Sequence, residues 1–173
     1  MSIIRTYRRS EDEAGRQVLE YREAWFVPGE EGPGEAVVHH GRVGTTGSTA
    51  TEAVADEASG EELLATFAAQ CEEDGFTAWD TADLARVEVS YRLKGAAPTT
   101  VESSLIERLR GELTNHLAWR GLGEVVQTRA ESGRAVLEVH TPHAAKATAE
   151  VPAAAKLAGV QASRVTAQRA DRA

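Results

Sequence analysis

The stretch EAVVHHGRVGTTGSTA, residues 35–50, gathers the side chains best suited to chemistry: His39, His40 and Arg42, among Gly41, Gly44 and Gly47. A guanidinium pairs bidentately with phosphate or carboxylate, and glycines three apart either expose backbone N–H groups to an anion or simply turn the chain. A P-loop closes on Gly-Lys-Ser/Thr, and a dinucleotide fingerprint runs G-x-G-x-x-G from a strand into a helix. This run does neither and leads into a further strand candidate, so the turn reading outweighs the nucleotide cradle. Adjacent histidines on a strand point to opposite faces and cannot hold one ion together. One of the pair is expected in the core and the other on the surface.

Elsewhere the candidates thin out. His140 and His143 have three-residue spacing, but Pro142 lies between them where a strand gives way to a helix, which favours ordinary surface histidines over a metal pair. His116 flanks an apolar helical stripe. Cys71 is the single cysteine; it can form no intramolecular disulfide, and its place on a helical stripe makes it a small core hydrophobe. There is no G-x-S-x-G elbow, and the carboxylates are spread through loops. These features read as a non-enzymatic chain with no catalytic residue, metal or cofactor. Trp25, Trp79 and Trp119 read as core or edge packing.

Which elements position the glycine run follows from periodicity. SIIRTYRRSEDE and RQVLEYREAWFV read as strands, PGEEGPG breaks the chain, EAVVHHGRV forms a third strand, and STATEAVAD, with alternating small residues, forms a fourth. Ser59 and Glu62 have capping-box spacing ahead of a helix carrying Leu63, Leu64, Phe67, Ala68 and Cys71 on one side, and Gly75 ends it. A boundary falls near residues 80–85, giving domains 1–82 and 83–173. The second begins with the strand RVEVSYRLKG. Thr99 and Glu102 then box the start of a helix with Val101, Leu105, Ile106, Leu109, Leu113 and Leu117 at helical spacing. A hairpin turning at Glu131-Ser132-Gly133 follows, then a helix capped at Thr141-Pro142 that Pro152 must kink or split, and a last strand in SRVTAQRA. Strand, helix, strand, strand, helix, strand is the split βαβ, ferredoxin-like order. The fold class is α+β.

Charge divides along the same boundary. Residues 1–80 hold 17 acids against 6 bases, a net of −11, whereas 81–173 hold 10 against 13, a net of +3. The first half repels a polyanion at long range, which argues against non-specific nucleic-acid binding. The bases are 16 Arg and 3 Lys, with no lysine before Lys94. With 173 residues and 42% apolar content the chain can bury a core. It shows neither a membrane-length apolar run nor a secretory signal, and it reads as soluble and cytoplasmic.

With its flanks, the segment His40-Gly41-Arg42-Val43-Gly44-Thr45-Thr46-Gly47 resembles the WGR domain, whose pattern is W-G-R-V/I-G-x-x-G. LEYREAWFV resembles the family's preceding strand, and SGEELLATFAAQCEEDGFTAWD its helix and closing segment, so the resemblance covers about residues 1–80. It implies an antiparallel sheet with one helix, and binding rather than catalysis, because WGR domains contact DNA near strand ends and dock onto neighbouring domains. It makes Arg42 the candidate phosphate or carboxylate contact, with Gly41, Gly44 and Gly47 shaping the strand and turn. His40 stands where the family has tryptophan and offers a smaller, titratable ring. Glu30, Glu31 and Glu35 precede the run, and Asp56, Glu57, Glu61 and Glu62 follow it. Arg5, Arg8 and Arg9 join Arg42 only if the first strand lies alongside. The alternative is a protein-protein interaction module of adaptor or immunity type that binds no nucleic acid.

Overall fold

A computed structural model describes residues 3–29 and 33–170. Glu30 and Glu31 lie outside the described residues. The chain divides into two units between Asp80 and Thr81. The described residues form two antiparallel four-stranded sheets and three α-helices.

In the first unit β1 (Ile3–Glu11), β2 (Gln17–Val27), β3 (Gly34–Arg42) and β4 (Ser48–Val54) pair in chain order. The sheet buries Tyr7, Tyr21, Ala24, Ala36 and Val37. Six of the seven β4 residues are exposed and only Val54 is buried, so the fourth strand forms as a solvated edge. At the opposite edge the closing segment pairs with β1: Tyr7 and Thr77 exchange backbone hydrogen bonds of 2.8 and 2.9 Å.

Helix α1 (Glu57–Glu73) begins three residues ahead of the expected box. Asp56 is the N-cap, and its carboxylate accepts from Ser59 N at 2.8 Å. An extended Asp is as good a cap as Ser, and Glu57 in the first turn suits the helix dipole. Cys71 is fully buried. Leu63, Leu64, Phe67 and Ala68 lie on the same helix, with Leu63, Leu64, Phe67 and Ala68 less deeply placed than Cys71, and Gly75 closes the helix at φ +79°.

The second unit contains β5 (Ala85–Arg92), α2 (Thr100–Ala118), β6 (Glu124–Glu131), β7 (Arg134–Thr141), α3 (Ala144–Leu157) and β8 (Val165–Ala170). Its sheet order is β6-β7-β5-β8. The Thr99–Glu102 capping box is formed in full, and Ile106, Leu109, Leu113 and Leu117 of α2 are buried.

Three local expectations are corrected here. Glu131 pairs with Arg134 inside the hairpin, so the connection is Ser132-Gly133 alone. Thr141 is fully buried and pairs with Ala85, which leaves His143 to cap α3 through a hydrogen bond from Lys146 N. Pro152 does not split α3, which runs unbroken from Ala144 to Leu157. It is exposed, while Ala147, Val151, Ala154 and Ala155 bury one continuous face on both sides of it. That packing outweighs the one backbone hydrogen bond a proline removes.

Candidate functional site

The glycine run joins β3 to β4. Arg42 ends β3 and its carbonyl accepts from Thr45 N and Thr45 Oγ1, both at 2.9 Å, closing a four-residue turn. Gly44 occupies the third position at φ +97°, where a type II turn needs a residue free of a Cβ penalty. Val43 is fully buried and its N–H donates to Leu19 O at 2.8 Å.

Gly47 shows why the spacing is fixed. Its φ is +63°, and a Cβ there would lie 2.4 Å from both His40 O and Tyr21 Oη. A Cβ on Gly41 would meet Gly47 Cα at 2.8 Å. The two backbones therefore press together over the Tyr21 hydroxyl, and both positions exclude side chains for steric reasons.

Beneath the turn lies a buried polar cluster. His39 Nδ1 is 2.8 Å from Glu23 Oε1, and Arg5 Nε donates to Glu23 Oε2 at 2.8 Å. His39 Nε2 is 2.8 Å from Thr46 O and 3.0 Å from Tyr21 Oη, and Tyr21 Oη donates to Thr45 O at 3.3 Å. Both ring nitrogens are therefore engaged, Nδ1 with the Glu23 carboxylate and Nε2 with the turn. The ring thus links β2 to the turn.

A hydroxyl, an imidazole and a carboxylate in that order have the connectivity of a catalytic relay. Tyr21, His39 and Glu23 are 1%, 0% and 3% exposed, and their contacts tie the turn to the sheet. They hold the turn, and with it the position of Arg42.

The opposite face of the same sheet carries the accessible residues. Cross-strand pairing sets Arg8 against Glu20, Glu20 against Arg42, and Arg22 against His40, so these five side chains share one face. Together with Phe76 they line a cleft of ≈ 170 Å³. Arg8 donates to Glu20 Oε2 at 2.9 Å and to Asp74 O at 2.9 Å. Arg22 pairs with the Asp74 carboxylate, and both guanidinium groups stack on Phe76, 4.5 and 4.3 Å from its centroid. The Arg22 hydrogen bond holds the Asp74 carboxyl below its ordinary range. Burial works against ionisation of Glu20, but hydrogen bonds from Ser10 and Arg8 outweigh it and keep that carboxyl low too. Arg42 is exposed, and its guanidinium makes no hydrogen bond or ion pair among the described residues.

The arginines of β1 thus separate. Arg8 reaches the cleft, whereas Arg5 is spent on Glu23 and Arg9 lies over Trp79 at 5.0 Å on the other face. His40 and Gly41 border the cleft with Arg42, while Gly44 and Gly47 act in the turn. Of the adjacent histidines, His39 is the core residue and His40 the exposed one. What sequence reasoning missed is the Arg5–Glu23–His39 cluster. Its signal is three complementary charges breaking the apolar alternation of three successive strands.

The remaining histidines make structural contacts. His116 Nε2 bonds Glu150 at 2.6 Å, joining α2 to α3. His140 Nε2 bonds Glu138 at 2.9 Å, and His143 is the α3 cap. Among the described residues no group of three or more His, Cys, Asp or Glu is arranged to hold a metal ion. No helix among them is long and apolar enough to cross a membrane.

Comparison with protein-family models, with curated proteins and with solved structures finds no match.

Proposed function

We propose that this chain is a non-enzymatic binding protein whose N-terminal domain, read from the sequence as residues 1–82, is a WGR-like module contacting nucleic acid through Arg42 and His40. The observation that supports it is an exposed guanidinium with no ion-pair partner among the described residues, held at the end of β3 by a turn that the buried His39 ring anchors. Such a group is prepared to meet a phosphate, because its position is fixed before binding and no internal ion pair has to break. Arg8 and Arg22 in the same cleft are already paired and serve as a supporting wall. A module of net charge −11 that relies on so few free cations makes a local contact with a strand end rather than tracking a long duplex. The second unit, residues 83–173, is read as ferredoxin-like from its helix and strand order and from the sheet order β6-β7-β5-β8.

The test is a salt titration of binding to short single-stranded, nicked and blunt-ended DNA, with Arg42→Ala alongside. Binding that weakens with salt and weakens again in the variant supports the reading; no binding at low salt removes it.

A second reading, a protein-interaction module, is favoured by β4. Its outer edge is unpaired among the described residues, it is almost wholly exposed, and Ser48–Val54 is rich in threonine. An edge of this kind accepts a strand from a partner. That reading expects capture of one stoichiometric protein by the intact chain, retained in Arg42→Ala and lost in the edge variant Glu52→Lys. Recovery of mixed material insensitive to Glu52→Lys would dismiss it.

A further inference from the structure

Arg92 at the end of β5 and Arg134 at the start of β7 are direct cross-strand partners. Like charges facing each other across a ladder repel, and their side chains lie on one face of the sheet. Arg92 is exposed and makes no hydrogen bond or ion pair among the described residues. Arg134 uses its Nε and one terminal nitrogen on Glu131 at 2.7 and 2.5 Å, which leaves the other terminal nitrogen for a ligand.

The two arginines border a cleft of ≈ 290 Å³ whose other polar walls are the hydroxyls of Ser90, Ser132, Ser163 and Thr166. Ser90 and Thr166 are themselves cross-strand partners, so β5, β7 and β8 all face the cleft. Arg164 also borders it, but its guanidinium is committed to Tyr91 Oη at 2.8 Å and Glu102 at 3.3 Å. Among the described residues no carboxylate lines the cleft.

We propose that this cleft binds the phosphate group of a small molecule. An oxyanion seated between Arg92 and Arg134 turns their repulsion into two charge-assisted contacts, and the hydroxyls donate to its remaining oxygens. The volume limits the ligand: it lies at the lower edge of the few hundred Å³ typical of small-molecule sites, room for a phosphate and a few carbons. The site belongs to the second unit and does not depend on Arg42.

Isothermal titration of the full chain at low ionic strength tests this, with inorganic phosphate and glycerol 3-phosphate as separate probes. The expected result is saturable 1:1 binding, weaker by about tenfold or more in Arg92→Gln and in Arg134→Gln. Tighter binding of the ester identifies an organic phosphate as the ligand, and equal binding identifies free phosphate. Arg92 is exposed and unpaired among the described residues, so removing it relieves repulsion and ligand-free Arg92→Gln should melt at or above the wild-type temperature. Absence of saturable binding with either probe, or binding that both glutamine variants retain, overturns the proposal.

Discussion

His39 Nδ1 lies 2.8 Å from Glu23 Oε1, and neither side chain is more than 4% exposed. A carboxylate and an imidazole this deeply buried need each other, with Arg5 satisfying the second carboxylate oxygen. The pair fixes β2 to β3 and, through Nε2, fixes the turn that follows.

Truncating His39 leaves Glu23 buried beside Arg5 alone and strips the Thr46 carbonyl of a donor. Removing one member of a buried pair costs about 3–5 kcal/mol. His39→Ala should therefore lower the urea midpoint of the full chain sharply, while His40→Ala, on the exposed face, should change stability by less than about 0.5 kcal/mol. Equal effects of the two substitutions would show that the cluster does not hold the sheet.

Gly47→Ala combines a left-handed backbone with a contact of 2.4 Å to backbone and hydroxyl oxygen. Strain from φ alone is about 1–2 kcal/mol, and the clash adds to it. Gly15, at φ +71° with nothing within 4 Å of an added methyl, carries only the first cost. Denaturation of Gly47→Ala and Gly15→Ala should separate the two, with the Gly47 variant clearly the weaker.

Glu102 is 2% exposed and accepts from the backbone of Thr99 and of Lys94 and from the Thr99 hydroxyl. The backbone hydrogen bond from Thr99, then that from Lys94, hold its carboxyl below the ordinary 4.5. A carboxyl depressed in the folded state contributes stability that is present above pH 4.5 and is lost as pH falls through the lower folded value. Thermal melts should therefore show the wild-type chain losing stability below that pH, and Glu102→Gln starting lower at neutrality but falling with a shallower slope.

How far these features are legible in the sequence depends on how local their causes are. The Thr99–Glu102 box and the α2 stripe are contained in one helix; the box forms as read and Ile106, Leu109, Leu113 and Leu117 are buried, whereas Val101 at the first turn is exposed. Spacing points to Ser59 as the α1 cap, yet Asp56 carries the same capping chemistry three residues earlier, and spacing alone does not rank them. Thr141 is an unsuitable cap because its pairing with Ala85 lies 56 positions away in the chain, beyond any local pattern. The Arg5–Glu23–His39 cluster needs the register of three strands, and that register is set across loops the sequence does not dimension. Arg42 and the glycines are visible as residues; that the buried His39 ring positions them is not.

The central claim, that Arg42 is a preorganised phosphate contact, is tested most directly by the salt dependence of DNA binding. The measurement is the slope of log K against log salt for a short nicked duplex, with wild-type chain and Arg42→Ala. A preorganised contact predicts measurable binding at low salt, weaker binding in the variant, and a slope reduced by about one. No binding at low salt, or identical curves for the two proteins, would contradict it.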